Sequence, residues 1–305
     1  MVFRTFGHES VPFFPVVNDL KIKEVFTARI RCLQISFWKD KKMKISVKLF
    51  GLWSLFLVLV LGVNVFSAGA HDFWIEVNDY TPKVGEDIAL TLGYGHYLPS
   101  REFMPKDSLE EIYLLDENAK KTGFKQYSEV ELKEEKPLNR DVTCLIVAKK
   151  KGGFFTKTTE GYQRGKTKKG LKNVLKCSYS EKFSKAVVNV GKGGGNIFSR
   201  VLGQEIELVP LENPGDLREG DYLNVKVLFK GKPMEHQMVY GTYMGFSTEK
   251  NVFAYTTSTD QQGIARIKML KSGVWFLATK IKEAYPDPEV CDQYSLSATM
   301  TFEVP

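Results

Sequence analysis

A chain of 305 residues, 43% hydrophobic and 12% aromatic, has material for about two buried cores. The formal charge of +7 is concentrated at the start: the first 70 residues hold 10 of the 43 basic and 4 of the 36 acidic residues. The remainder carries 33 and 32, about +1, which excludes a global pull toward nucleic acid.

Residues 1–42 mix aromatic, basic and proline residues without a clear period. They push an apolar segment, 49–66, unusually far from Met1 for a signal peptide. Met43-Lys44 opens a leader of ordinary length, so 1–42 reads as a mis-assigned start or a disordered extension. Ala68 and Ala70 then provide the A-x-A pattern of a signal peptidase. Cleavage after Ala70 makes 43–70 a Sec-type signal peptide and the expected location periplasmic. The alternative keeps 49–66 as an uncleaved membrane anchor, although 18 residues barely span a bilayer.

Cleavage there would leave His71 as the first residue. A terminal histidine offers two nitrogens, the free α-amine and ring Nδ1, which close a six-membered chelate on one metal ion. The amine titrates at about 8, so a metal displaces its proton more easily than a lysine's. Beyond residue 70 the histidines are His71, His96 and His236. His96 ends a predicted strand in Gly93-Tyr94-Gly95-His96-Tyr97-Leu98-Pro99. Two or three imidazoles plus an amine suit nickel, cobalt or copper, so all three histidines are candidate ligands. His236 lies beside a turn, where a solvated histidine is the ordinary expectation.

From His71 onward the pattern is β. Phe73, Ile75 and Val77 alternate with Trp74 and Glu76, and a turn at Pro82 and Gly85 leads to a strand over 88–92. Segments 112–115, 130–132 and 142–148 are further candidates. Residues 149–182 break the rhythm with 11 Lys/Arg, two Glu and interleaved aromatics. That stretch reads as a solvated basic excursion with one short helix over 168–182, where Leu171, Val174 and Leu175 show helical spacing. Ala186 to Val190 returns to strand.

Gly191-Lys192-Gly193-Gly194-Gly195-Asn196 lacks the Lys-Ser/Thr ending of a phosphate loop and reads as a linker or wide turn. It is the expected boundary (191–199) between a β domain over 71–190 and an immunoglobulin-like sandwich over 200–305. In the latter, Leu223, Val225, Val227 and Phe229 alternate with Tyr222, Asn224, Lys226 and Leu228, and the second half completes about seven strands to Val304. Trp275 is expected in its core. The fold class is therefore all-β: two antiparallel β-sandwich domains with a short helical and basic excursion. Cys144, Cys177 and Cys291 allow one disulfide and one free thiol, with the pairing open.

His71-Asp72-Phe73-Trp74 after a signal peptide, Gly95-His96-Tyr97-Leu98-Pro99, the stretch 180–190, and Gly203 to Pro214 continued by 220–231 together resemble a family of bacterial exported proteins. It was defined as a domain of unknown function and is often described as the periplasmic component of ABC-type cobalt or nickel uptake systems. The resemblance covers most of 71–305. It implies metal handling at the cell envelope and an inner-membrane metal transporter as partner, with His71 and His96 in matching motifs. No nucleophile elbow or diagnostic carboxylate pair occurs, so no enzymatic activity is expected. The alternative function is a non-enzymatic β-sandwich module that binds an envelope protein or a glycan.

Overall fold

The computed structural model describes residues 71–305, residues 100, 101 and 129 excepted. The expectations for the start site, signal peptide and anchor lie outside the described residues. Strands are β1 (Asp72–Val77), β2 (Ala89–Gly95), β3 (Leu109–Leu115), β4 (Lys121–Thr122), β5 (Phe124–Gln126), β6 (Glu131–Glu134), β7 (Val142–Thr158), β8 (Gly161–Arg164) and β9 (Val174–Val190). Then follow β10 (Ile206–Pro210), β11 (Tyr222–Phe229), β12 (Lys232–Pro233), β13 (Met238–Tyr243), β14 (Tyr255–Ser258), β15 (Ile264–Lys268), β16 (Gly273–Ala284) and β17 (Gln293–Val304). No α-helix occurs among the described residues, in accord with an all-β class.

The strands form three sheets. A central sheet runs β14-β13-β16-β17-β9-β7-β3-β4, with β8 folded onto β7. A first small sheet has the order β1-β2-β6-β5, and a second joins β10, β11 and β12 with β15 on β11. Side-chain alternation puts the central sheet between the other two. Val142, Cys144, Ile146 and Ala148 of β7 pack with Phe73, Ile75, Leu90 and Leu92 of the first small sheet. Leu145 and Val147, with Trp275, Leu277 and Met300, pack with Leu208, Val225 and Ile267 of the second. Residues 142–148 are therefore buried without interruption, as expected of a strand covered on both faces.

This arrangement corrects two sequence expectations. The boundary at 191–199 is a turn inside one compact unit, Ala68–Pro305, because β9 from the first half pairs in parallel with β17 from the last. The excursion over 149–182 is strand: β7 and β9 pair from Val142↔Val190 to Thr158↔Val174 and carry the β8 hairpin. Leu171, Val174 and Leu175 thus belong to a turn and to the start of β9, not to a helix. Pairing partners that the local helical spacing does not reveal override it. A Cys177–Cys291 disulfide ties the start of β9 to the segment before β17, and Cys144 is buried and free.

Two buried polar features lock the layers. The outer edge of β1 has no strand partner among the described residues, and buried hydroxyls replace one. Thr299 Oγ1 donates to Phe73 O at 2.6 Å, Thr301 Oγ1 donates to Ile75 O at 2.7 Å, and Ile75 N donates to Ser184 Oγ at 3.1 Å. Unmet, each of these backbone groups would cost about 1–3 kcal/mol. On the opposite face Lys185 donates to Glu207 Oε1 at 2.5 Å and Leu208 O at 3.1 Å, while Glu207 accepts from Leu202 N and Gly203 N.

Candidate metal centre

The register of β1 and β2 positions the first two site residues. Asp72 lies opposite Gly95 in this antiparallel pair. One more step outward places His71 opposite His96, at a spacing where cross-strand side chains touch. Their ring centroids are 4.3 Å apart, and the His71 ring stacks on Tyr94 at 4.7 Å with planes 8° apart. The hydroxyl bonds to β1 hold the strand that carries His71. On β2, Gly93 faces Trp74, and a Cβ there would come within 2.0 Å of the indole. Glycine is what lets the indole lie across β2 and meet Phe276 edge-on at 5.9 Å, forming the floor beside His96.

A third donor comes from the loop after β2. Glu102 N donates to Tyr94 O at 2.6 Å, which returns the loop to the strand end. The Glu102 carboxylate then reaches His71 Nε2 at 2.5 Å and lies 3.9 Å from His96 Nε2. One donor atom from each of His71, His96 and Glu102 falls within 4.8 Å of the others. Metal–ligand bonds of about 2.0–2.2 Å need donors about 4 Å apart or less, so a side-chain shift of under about 1 Å closes the set on one ion.

At His96 and Glu102 the electrostatics favour the protonation states that a cation requires. Burial, and then the His71 charge, lower the His96 pKa, so its imidazole is neutral at neutral pH. The hydrogen bond from His71 lowers the Glu102 pKa, so it is a carboxylate. His96 Nδ1 is buried, and the Asn251 side chain beside the imidazole bears on its charge. The backbone of His96 is held by Asn251 N, which donates to His96 O at 3.1 Å. Two imidazoles and a carboxylate are donors that nickel, cobalt, copper and zinc accept.

His236 is not in this group. It sits with positive φ before β13, its side chain is 80% exposed, and its ring meets the neighbouring Glu235 at 3.1 Å. Glu102 is the candidate donor that sequence reasoning missed. Its only signal is position: an acid six residues beyond His96, across the Leu98-Pro99 turn.

The sequence profile described as "Domain of unknown function (DUF4198)" matches residues 68–283, a stretch that includes all three donors. The chain belongs to the DUF4198 family. No curated protein matches it. Among solved structures, the D0-D1 domain of intimin is 10% identical, with 75% of this chain and 96% of that one covered, at a TM-score of 0.21. FdeC, an Escherichia coli adhesin, is 12% identical over 76% of this chain and 66% of that one, at a TM-score of 0.22. Murine CEACAM1b is 10% identical over 77% and 100%, at 0.20. Likenesses at this level carry no functional meaning for a DUF4198 chain.

Proposed function

We propose that this protein binds a divalent transition metal, nickel, cobalt or copper, through His71, His96 and Glu102 and delivers it to an inner-membrane transporter. The observation that carries the reading is the convergence of these three donors at one strand end. If the chain begins at His71, the α-amine supplies a further nitrogen once the His71 ring turns to present Nδ1 in place of the Nε2 that faces Glu102. The His71 and Glu102 side chains are 33% and 36% exposed, which supports an exchangeable ion over a permanently enclosed one. The Cys177–Cys291 disulfide supports an oxidising compartment such as the periplasm. The role is binding and transfer, not catalysis.

The test is titration of protein starting at His71 with Ni²⁺, Co²⁺ and Cu²⁺, following heat and proton release. About one ion should bind, copper tightest by the Irving–Williams order, with protons released because ligands bind deprotonated. His96→Ala and Glu102→Ala should each weaken binding at least tenfold, and His236→Ala should not. One extra residue before His71 isolates the amine, since it keeps every side chain. Equal binding by the His71→Ala, His96→Ala double variant would defeat the metal reading and favour the interaction module.

A further inference from the structure

Directly inward from His71, three lysines and a serine form one row across the central sheet. Lys150 of β7 pairs with Lys182 of β9, Lys182 with Ser297 of β17, and Ser297 with Lys280 of β16. All four share the face that carries Ala148, Ser184, Thr299 and Ala278 in the next row, the face on which β1 packs. The row therefore opens at the beginning of β1, beside the metal centre. Lys280 pairs with Asp72 at 2.8 Å, and Lys150 Nζ stands 5.7 Å from the Tyr94 ring that stacks on His71.

Two members are buried, and the serine's hydroxyl oxygen is fully enclosed and unused. Lys182 is 6% exposed, and its side chain makes no hydrogen bond or ion pair among the described residues. Ser297 is 4% exposed, and its Oγ has no partner. Of the charges acting on Lys182, Asp72 favours its cation while Lys280 and Lys150 oppose it. At Lys182, one carboxylate is thus set against two neighbouring ammonium groups, and this middle lysine and the serine have donors to spare. Burying such groups without compensation is costly, and an oxyanion would satisfy both.

We propose that Lys150, Lys182, Lys280 and Ser297 form an oxyanion-binding site that takes a carboxylate of a small polycarboxylate chelator accompanying the metal. The chelator's remaining donors would complete the coordination of an ion held by His71, His96 and Glu102. The chelator assignment rests on the metal reading; the oxyanion site does not.

The experiment is calorimetric titration of citrate into the full metal-free chain at 150 mM salt, repeated with phosphate and with Ni²⁺-loaded protein. Citrate should saturate one site. Lys182→Met and Lys150→Met should each weaken it at least tenfold and Ser297→Ala several-fold, while exposed Lys232→Met leaves it unchanged. Circular dichroism of each variant verifies the fold, and three separate substitutions guard against one that fails. Loading with Ni²⁺ should raise citrate affinity at least tenfold. No saturable binding of citrate or phosphate, or undiminished binding by folded Lys182→Met, overturns the site. Binding of phosphate but not citrate, or no gain on Ni²⁺ loading, overturns the chelator assignment. Absence of Ni²⁺ binding itself would defeat the metal reading and leave the metal-free arm to judge the oxyanion site alone.

Discussion

Replacing Lys182 by methionine should stabilise the fold at neutral pH, an unusual outcome for a residue 6% exposed in the middle of a sheet. Burial is the main cause that lowers the Lys182 pKa from 10.5 to about 8, so the folded protein holds this cation less readily than the unfolded chain does. At about 1.4 kcal/mol per pH unit, the native state carries a penalty of about 3 kcal/mol. Methionine keeps the length of the side chain and removes the charge. For a unit of this size, the gain corresponds to a rise in melting temperature of roughly 6–12 °C. The sign with pH follows from proton uptake. Below about pH 8 both states bind the proton and the penalty is fully present; between about 8 and 10.5 only the unfolded chain does, so native stability rises. The variant's advantage should therefore be largest at pH 7 and shrink toward pH 10.5. Thermal or urea unfolding of both proteins at pH 7, 9 and 10.5 measures this. Saturating citrate should shrink the gap at pH 7 by stabilising the wild type alone. Destabilisation of the variant at pH 7, or a gap that does not change with pH, would refute the reasoning.

Four further outcomes follow from the packing. Glu207→Gln should cost about 3–5 kcal/mol in urea unfolding, because it leaves buried Lys185 without its counter-charge. Replacing both Cys177 and Cys291 by serine should cost about 4–5 kcal/mol by the entropy of closing a loop of 114 residues, while Cys144 stays unreactive toward iodoacetamide until the protein unfolds. Burial drives the Cys144 pKa upward, which disfavours the reactive thiolate. Gly93→Ala should cost about 1–3 kcal/mol by displacing the Trp74 indole, and with it the floor beside His96, measurable as a loss in both melting temperature and metal affinity.

Much of the fold was legible where one face of a strand is polar. The alternation of Leu223, Val225, Val227 and Phe229 marks β11, which is covered on one side only. The layering was harder. The run over 142–148, apolar except for Thr143, signals a strand covered on both faces, and that signal belongs to a central sheet, not to two separate sandwiches. The length of β9 was hidden because its lysines alternate with aromatics, and only the partner strand decides between a solvated excursion and a hairpin. At the site, His71 and His96 could be named individually, and the antiparallel register of the strands they flank brings them together. Glu102 could not, because no strand period reaches it: a single backbone hydrogen bond to Tyr94 aims its loop. The lysine row was equally invisible, since its members come from four strands separated by up to 147 residues and only the sheet order aligns them.

The central claim is that His71, His96 and Glu102 hold a transition metal in the living cell. Elemental analysis of protein purified from its own cells without chelators tests it most directly, with the His71→Ala, His96→Ala double variant prepared alongside. About one nickel, cobalt or copper ion per wild-type chain, and a loss of at least tenfold in the variant, is the predicted result. A wild-type protein that carries none, or a variant that carries as much, would contradict it.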